Sequence, residues 1–501
     1  MLRFKQQTQI MHYHLIGICG TAMASLAGML KARGHLVTGS DENVYPPMST
    51  MLQSLDIEVF QGYHAENLLA GSKHRNPPVS ESLAKPSGET FPDCVVVGNA
   101  IPRGNPEVEE TLRQRLVYRS QAEVVKEEFI RGRRSLVVAG THGKTTTTSI
   151  AAWVLDQGGL NPGFLIGGIA QNFGVSFRVS NSDYFIIEGD EYDTAYFDKG
   201  PKFMHYLPEI AIVNNIEFDH ADIYADLAAV KLAFRRLMNL VPSNGRLIVG
   251  WDNEHVRDVI KSMGQKLFTQ LETFGLDGEA RWQIRDQNYS SELSSFKVFR
   301  EGSEWGKFQT PVFGDFNLLN CLAVIIAADA WGVSRERIGQ ALLTFRNVRR
   351  RAEVRGEERG VTIIDDFAHH PTAVKETLAA LRHRFDKRRL IAVFEPRSWS
   401  SRLAVFQDAY ASAFAAADLV MIASVFDREK VSEKGKMLDT AQLIEDISAT
   451  GKPAWALPGA DEIVRDLLPR LEAGDVVAIM SNGGFGGIHD KLLAKLKEEG
   501  R

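Results

Sequence analysis

The segment Ser135-Leu-Val-Val-Ala-Gly140-Thr-His-Gly-Lys144-Thr-Thr-Thr-Thr148 constrains this chain more than any other. A short apolar run leads into a loop bracketed by Gly140 and Gly143, then a lysine and four threonines. The run predicts a buried parallel strand, and the residues from Thr145 to Leu155 a helix. Backbone N–H groups of such a loop converge on an anion, and the helix N-terminus adds partial positive charge. In this arrangement Lys144 reaches terminal phosphates and the Thr145 hydroxyl suits a Mg2+ ion. The usual spacing G-x-x-x-x-G-K-[ST] would place its first glycine at Val138, so the form here is shorter, Gly140-Thr-His-Gly-Lys-Thr.

A chain of 501 residues exceeds one hydrophobic core, and about three domains are expected. Hydrophobic residues make up 44% and charged residues 24%, the composition of a soluble globular protein. The net charge of -5 argues against a nucleic-acid partner, which would need a dense basic face. The basic cluster from Arg131 to Arg134 is read as a solvated linker. Cys19, Cys94 and Cys321 have neither metal-ligand spacing nor a disulfide pattern. The polar N-terminal residues do not resemble a secretory signal, and no apolar run approaches the ~18 residues of a membrane span. A cytoplasmic protein without a membrane partner is expected.

Three α/β units follow one another. The first opens with His12-Tyr-His-Leu-Ile-Gly-Ile-Cys-Gly-Thr-Ala-Met23, a strand, turn and helix. It resembles a dinucleotide-type start, with Gly17 and Gly20 in the turn, Cys19 in place of the middle glycine, and Asp41 about 20 residues on. Residues 71–92, rich in Ser, Pro, Lys and Asn, predict a long surface loop. The second unit starts at Ser135 and continues through strands at 184–187 and 210–213. Their tips are acidic, Glu188-Gly-Asp-Glu-Tyr-Asp193 and Asn214-Asn-Ile-Glu-Phe-Asp-His220. Ligands bind at the carboxyl ends of strands in open α/β sheets, so both tips should flank the phosphate loop. Alternation from Phe274 to Phe313 predicts further strands, some antiparallel, and a helix follows at 317–330. The third unit carries strands at 361–364, 389–394, 419–423 and 475–480, a second doubly wound sheet.

At these tips Glu188 and His220 are candidate divalent-metal ligands together with Thr145. Asp190, Glu191 and Asp193 are read, for at least two of the three, as a solvated loop. Arg351 and Arg397 present planar forks suited to a phosphate or a carboxylate. His369 and His370 precede a proline and are read as shaping the turn before a helix.

Five ordered motifs together resemble the Mur ligases, three-domain ATP-dependent amide ligases of bacterial cell-wall synthesis. They are Gly140-Thr-His-Gly-Lys-Thr, Glu188-Gly-Asp-Glu-Tyr-Asp, Asn215-Ile-Glu-Phe-Asp-His220, Gly314-Asp-Phe-Asn-Leu-Leu-Asn320 and Asp365-Asp-Phe-Ala-His-His-Pro-Thr. The resemblance implies a Rossmann-like UDP-sugar domain (1–131), a central P-loop ATP domain (132–346) and a C-terminal Rossmann-like domain that binds the incoming peptide and part of ATP (347–501). It implies ATP at Gly140, Thr141, His142, Gly143, Lys144, Thr145, Thr146, Asn317, Asn320, Arg351 and Asp366. Gly17, Gly20, Thr21, Met23 and Asp41 would face the UDP-sugar. Lys144, Glu188, His220 and Arg351 would be catalytic, and Mg2+ would lie at Thr145, Glu188 and His220. Arg397 and His369 are the peptide-side candidates. Segments 39–50, 190–199, 215–222 and 481–489 are similar to the members that join a murein tripeptide to UDP-N-acetylmuramate. Two alternatives stay open, the members that add L-alanine and, outside the family, a P-loop switch or motor. A monomer or weak homo-oligomer is expected.

Overall fold

The computed structural model describes residues 9–45, 48–70, 90–276, 278–429 and 436–499. Three separate sheets carry most of the core. The first has five parallel strands in the order Glu58–Gln61, Leu36–Asp41, His12–Ile16, Cys94–Val97, Tyr118–Ser120. The second has ten strands. From one edge they run Ser303–Thr310, Ser294–Arg300, Trp282–Tyr289, Gln270–Gly275, Arg246–Gly250, Ile210–Val213, Arg134–Ala139, Tyr184–Gly189, Gly163–Ala170, Val175–Arg178. The third has six strands in the order Glu353–Glu358, Val361–Asp366, Val476–Met480, Leu390–Phe394, Leu419–Ala423, Ala454–Leu457.

The apolar runs become strands because both of their faces are covered. Leu136, Val137, Val138 and Ala139 are fully buried, as are Ala211, Ile212 and Val213. This is the signature of a parallel sheet between helices. The helix Asp315–Ala330 is apolar on nearly every side, and a helix without a polar face must lie inside the protein. It packs over the phosphate-loop strand and the helix Lys144–Gln157 in one core cluster. The alternating stretch forms the meander Trp282–Tyr289, Ser294–Arg300, Ser303–Thr310, antiparallel as expected.

Two expectations are corrected. Residues 131–134 are a solvated linker only in part: Arg131 and Gly132 form an exposed turn, while Arg133 and Arg134 are half-buried. Arg134 begins the phosphate-loop strand, with its guanidinium 2.6 Å from Glu209 Oε1 and 5.2 Å from the Tyr184 ring centroid. Just before it, Phe129 and Ile130 are buried in the core between the first two sheets. Burial also lowers the pKa of Arg133. The second correction concerns Glu191 and is given with the site. Most of the expected loop at 71–92 lies outside the described residues.

Sequence reading missed the strands Tyr118–Ser120, Gly163–Ala170, Val175–Arg178, Asp193–Ala195, Asp198–Pro201, Glu353–Glu358 and Ala454–Leu457. All of these but Gly163–Ala170 lie at a sheet edge, where one ladder partner suffices and polar residues are tolerated.

Candidate active site

The strands Tyr184–Gly189 and Ile210–Val213 flank Arg134–Ala139 on opposite sides, so both acidic tips border the phosphate loop. Gly140 and Gly143 have φ of +134° and +82°. A Cβ on Gly143 would lie 2.7 Å from Asn320 Oδ1, and one on Gly140 would lie 3.1 Å from the backbone nitrogen of Asn214. Only glycine fits either place. The helix Lys144–Gln157 therefore starts directly after Gly143 with no side-chain cap, leaving first-turn N–H groups available to an anion.

Lys144 Nζ donates to Gly140 O at 2.7 Å, Thr141 O at 3.2 Å and Glu191 Oε1 at 2.9 Å. The same Glu191 oxygen lies 3.1 Å from His220 Nε2. Burial opposes charge on Lys144, but Glu191 and Asp190 outweigh it and raise the pKa. His220 is likewise raised, with Glu191 and Asp219 overcoming burial. Glu191 is only 2% exposed, so it is not part of a solvated loop: Lys144 and His220 converge on it. Asp190 pairs with Lys202 at 2.7 Å, and the lysines hold its carboxyl at about 2 against the effect of burial. The acid-rich run at 188–193 was visible in sequence. Which of its carboxylates turn inward depends on the backbone after the strand and was not.

Thr145 Oγ1 donates to Glu188 Oε2 at 3.1 Å, and Gly167 N donates to Glu188 Oε1. Burial holds the Glu188 carboxyl above its ordinary range. Hydroxyl and carboxylate thus sit side by side at the helix start, a hard-oxygen pair suited to Mg2+. Glu191 Oε2 is buried with no hydrogen-bond partner. His220 touches Glu191, and no hydrogen bond joins it to Glu188. Its φ of +55° is strained for a non-glycine residue. The strain is held by Asp219 Oδ1 and Ser400 Oγ, both accepting from His220 N, at 2.7 and 3.1 Å.

Across the loop, Asn214 Nδ2 donates to Thr147 Oγ1 and Asn320 Oδ1, and Asn320 Nδ2 to Asn317 Oδ1. This chain ties the helix Asp315–Ala330 to the phosphate loop. A cavity of about 660 Å³ lies between the second and third sheets, lined by 141–146, Asn317, Asn320, Arg351, Asp366, His369 and His370 among others. Asp366 accepts from Ala352 N and Ala368 N at 2.7 and 2.8 Å. Burial raises its pKa, and Arg351 opposes the rise. His369 is lowered by burial and lies 3.0 Å from Phe367 O through Nδ1. His370 caps the helix Pro371–Arg384, the turn-shaping role expected of it. Arg397 stacks 3.9 Å from the Phe426 ring centroid, pairs with Glu395 at 3.5 Å, and lines neither cavity described here.

In the first sheet Gly17 has φ +82°. Asp41 accepts from Cys19 N and Asn43 N, both at 2.9 Å, so its carboxylate holds the turn. Gly20 precedes the helix Thr21–Ala32, which also lacks a side-chain cap, and Met23 is buried. A second cavity of about 830 Å³ runs from Thr21, Ala22 and Ser25 to Lys144, Thr145 and Glu188, with Lys202, Arg349, Arg350, Arg351 and Arg355 on its walls. Arg350, overlooked in the sequence, donates to Ser481 O and Gly483 O at 2.7 Å each and anchors that wall.

A phosphate cradle walled by three α/β sheets is the form of a Mur ligase, and the chain belongs to the Mur ligase family. The Mur ligase family catalytic domain matches residues 12–132, the Mur ligase middle domain 138–328, and the Mur ligase glutamate ligase domain 350–483. Among curated relatives, the UDP-N-acetylmuramate–L-alanyl-γ-D-glutamyl-meso-2,6-diaminoheptandioate ligase of Escherichia coli is 41% identical, over 98% of this chain and 99% of its own. The UDP-N-acetylmuramate–L-alanine ligase of Syntrophus aciditrophicus is 30% identical, over 98% of this chain and 94% of its own. Among solved structures, the murein peptide ligase of Psychrobacter arcticus matches with a TM-score of 0.68 at 33% identity, covering 97% of this chain and 98% of its own. Among the described residues, no helix is long and apolar enough to cross a membrane.

Proposed function

We propose that this chain is an ATP-dependent ligase that joins L-alanyl-γ-D-glutamyl-meso-diaminopimelate to UDP-N-acetylmuramate, forming a C–N bond in peptidoglycan recycling. One observation carries the chemistry: Lys144, Thr145 and Arg351 line both cavities. A nucleotide in the first cavity therefore presents its terminal phosphate to an acid held in the second. The cations around the second cavity suit a substrate carrying diphosphate and carboxylate. The choice of tripeptide over L-alanine rests on the higher identity to the tripeptide ligase, 41% against 30%, at equal coverage of this chain.

In this reading the lactyl carboxylate attacks the γ-phosphorus, the bond to ADP breaks, and an acyl phosphate forms. The free α-amine of the tripeptide then attacks the acyl carbon, phosphate leaves, and the amine proton passes to solvent or a nearby base. Lys144 and Arg351 stabilise negative charge spreading over the transferring oxygens. Thr145 and Glu188, with His220 nearby, would hold Mg2+, which supplies further positive charge when bound. Asn317, Asn320 and Asp366 lie on the nucleotide side, Thr21 and the Gly17–Gly20 turn on the UDP-sugar side. Arg397 and His369 stay the peptide-side candidates, with Arg397 set back from the cavities. The proposed domain limits are 1–131, 132–346 and 347–501, placing each sheet in its own domain.

The test is ADP release with UDP-N-acetylmuramate present, amine substrates supplied separately. Amide product with the tripeptide and not with L-alanine is expected. Product with L-alanine alone would move the chain to the alanine-adding group. ATP hydrolysis indifferent to UDP-N-acetylmuramate would favour a switch or motor.

A further inference from the structure

His142, Glu217 and His370 come from three elements: the phosphate loop, the tip after Ile210–Val213, and the cap of the helix Pro371–Arg384. Their ligand atoms all lie within 4.8 Å of one another, and among the described residues they are the group of His, Cys, Asp and Glu side chains that meets this condition. Glu217 Oε2 is 3.3 Å from His142 Nε2 and 3.8 Å from His370 Nδ1. Tetrahedral ligands at ~2.0–2.1 Å from Zn2+ stand about 3.3 Å apart, so small side-chain movements would close the set on an ion.

The hydrogen bonds fix the His370 ring and the Glu217 carboxylate in place beside His142. His370 Nε2 lies 3.3 Å from the carbonyl of Phe218 and must donate to it. Its Nδ1 lone pair accepts from Thr372 N–H at 3.3 Å, the cap of the helix Pro371–Arg384, so an ion at Nδ1 would take the place of that hydrogen bond. A histidine whose far nitrogen donates to a carbonyl presents the other to a metal in a fixed tautomer. Thr372 Oγ1 donates to Glu217 Oε2 at 2.7 Å, orienting the carboxylate. All four residues line the 660 Å³ cavity, which leaves room for a fourth ligand such as water or a phosphate oxygen.

We propose that His142, Glu217 and His370 form a site for a borderline divalent transition ion of the Zn2+ type, separate from the Thr145–Glu188 pair, that pins the phosphate loop to the C-terminal sheet. Two imidazoles and one carboxylate favour such an ion over Mg2+, which takes oxygen ligands. An ion at His142 Nε2 requires the tautomer with the proton on Nδ1, so the Nε2–Glu217 hydrogen bond would be exchanged for bonds from both residues to the ion. The ion draws ligands from the second and third sheets' elements, so its occupancy favours the arrangement seen here over one with the sheets apart.

The experiment titrates the full-length, nucleotide-free protein with Zn2+ against a chromophoric chelator. Glu217→Gln and His370→Gln should each weaken one site at least about tenfold, and Glu188→Gln should leave that site unchanged. Imidazole 15N shifts of the unmutated protein give a readout that needs no variant: His370 Nδ1 and His142 Nε2 should move on adding Zn2+. Wild-type affinity in both Gln variants would overturn the proposal. So would loss of all Zn2+ binding in Glu188→Gln, or unmoved imidazole shifts at saturating Zn2+.

Discussion

Lys144 Nζ stands 2.9 Å from Glu191 Oε1, with the carboxylate side chain 2% exposed and the ammonium 15%. The same oxygen takes His220 at 3.1 Å. The positive charge that a polyphosphate would meet is thus balanced by a buried carboxylate, which keeps the loop in shape without ligand.

Lys144→Ala should lower ligation at least about 10³-fold, since a donor to the transferring phosphate is lost. It should also leave Glu191 underpaired, and breaking a buried pair costs about 3 kcal/mol. Lys144→Ala with Glu191→Gln should therefore melt at a higher temperature than Lys144→Ala alone, with ligation still lost. Steady-state rates and thermal melts of the three proteins check this. A double variant no more stable than the single one would show that the pair does not hold the loop.

Glu188→Gln removes one oxygen charge from the proposed Mg2+ pair. The Mg2+ concentration for half-maximal rate should rise about 10- to 100-fold, with saturating Mg2+ restoring part of the activity. Rate measured against Mg2+ at fixed ATP decides this, and an unshifted curve would place the ion elsewhere.

Gly143→Ala puts a Cβ 2.7 Å from Asn320 Oδ1 at φ +82°. The strain should lower stability by about 1–3 kcal/mol and reduce the affinity for ATP as the N–H groups lose their aim. Urea unfolding and nucleotide binding test it. Gly104→Ala, also at positive φ but with nothing within 4 Å, separates backbone strain from the clash.

Glu128 carries the pH prediction. Burial pushes its carboxyl up, but His35, Tyr13 and Arg33 outweigh burial and hold it at about 2, against 4.5 ordinarily. A depressed folded-state pKa gives stability that is fully present above about 4.5 and lost as pH falls through about 2. The contribution is on the order of 2 kcal/mol. Melting temperature followed from pH 7 downward should fall less steeply for Glu128→Gln than for wild type below that upper limit. Parallel curves would show that the carboxylate is not held as described.

Much of the scaffold was legible because buried strands and helices announce themselves. The strands at 210–213 and 419–423 coincide with the apolar runs, and the helix at 315–330 with the largely apolar segment that starts after Gly314. The edge strand Val175–Arg178 was not legible, since it covers only one partner and carries no continuous apolar run. Of the candidate site, the positions of Lys144, Thr145 and Glu188 beside one another were legible because their spacing from a strand end dictates where they point. That of Glu191 was not, because the chain turns after Gly189, and that turn selects which neighbouring carboxylate enters the protein. Arg134 was misread for a related reason: a basic run looks solvated until Glu209, 75 residues away, is brought beside it.

The sequence by itself determined three α/β units, a phosphate loop whose glycines admit no side chain, and motifs in the order of a Mur ligase. These are local properties, set by periodicity and by backbone angles that few residues can adopt. Only the tertiary structure decided that Lys144 and His220 share Glu191, that Thr145 and Arg351 face two cavities at once, and that His142, Glu217 and His370 meet. Those contacts join residues up to about two hundred positions apart. Sheet order and the packing of three sheets around one loop create them, and no local pattern records which strand tips will become neighbours.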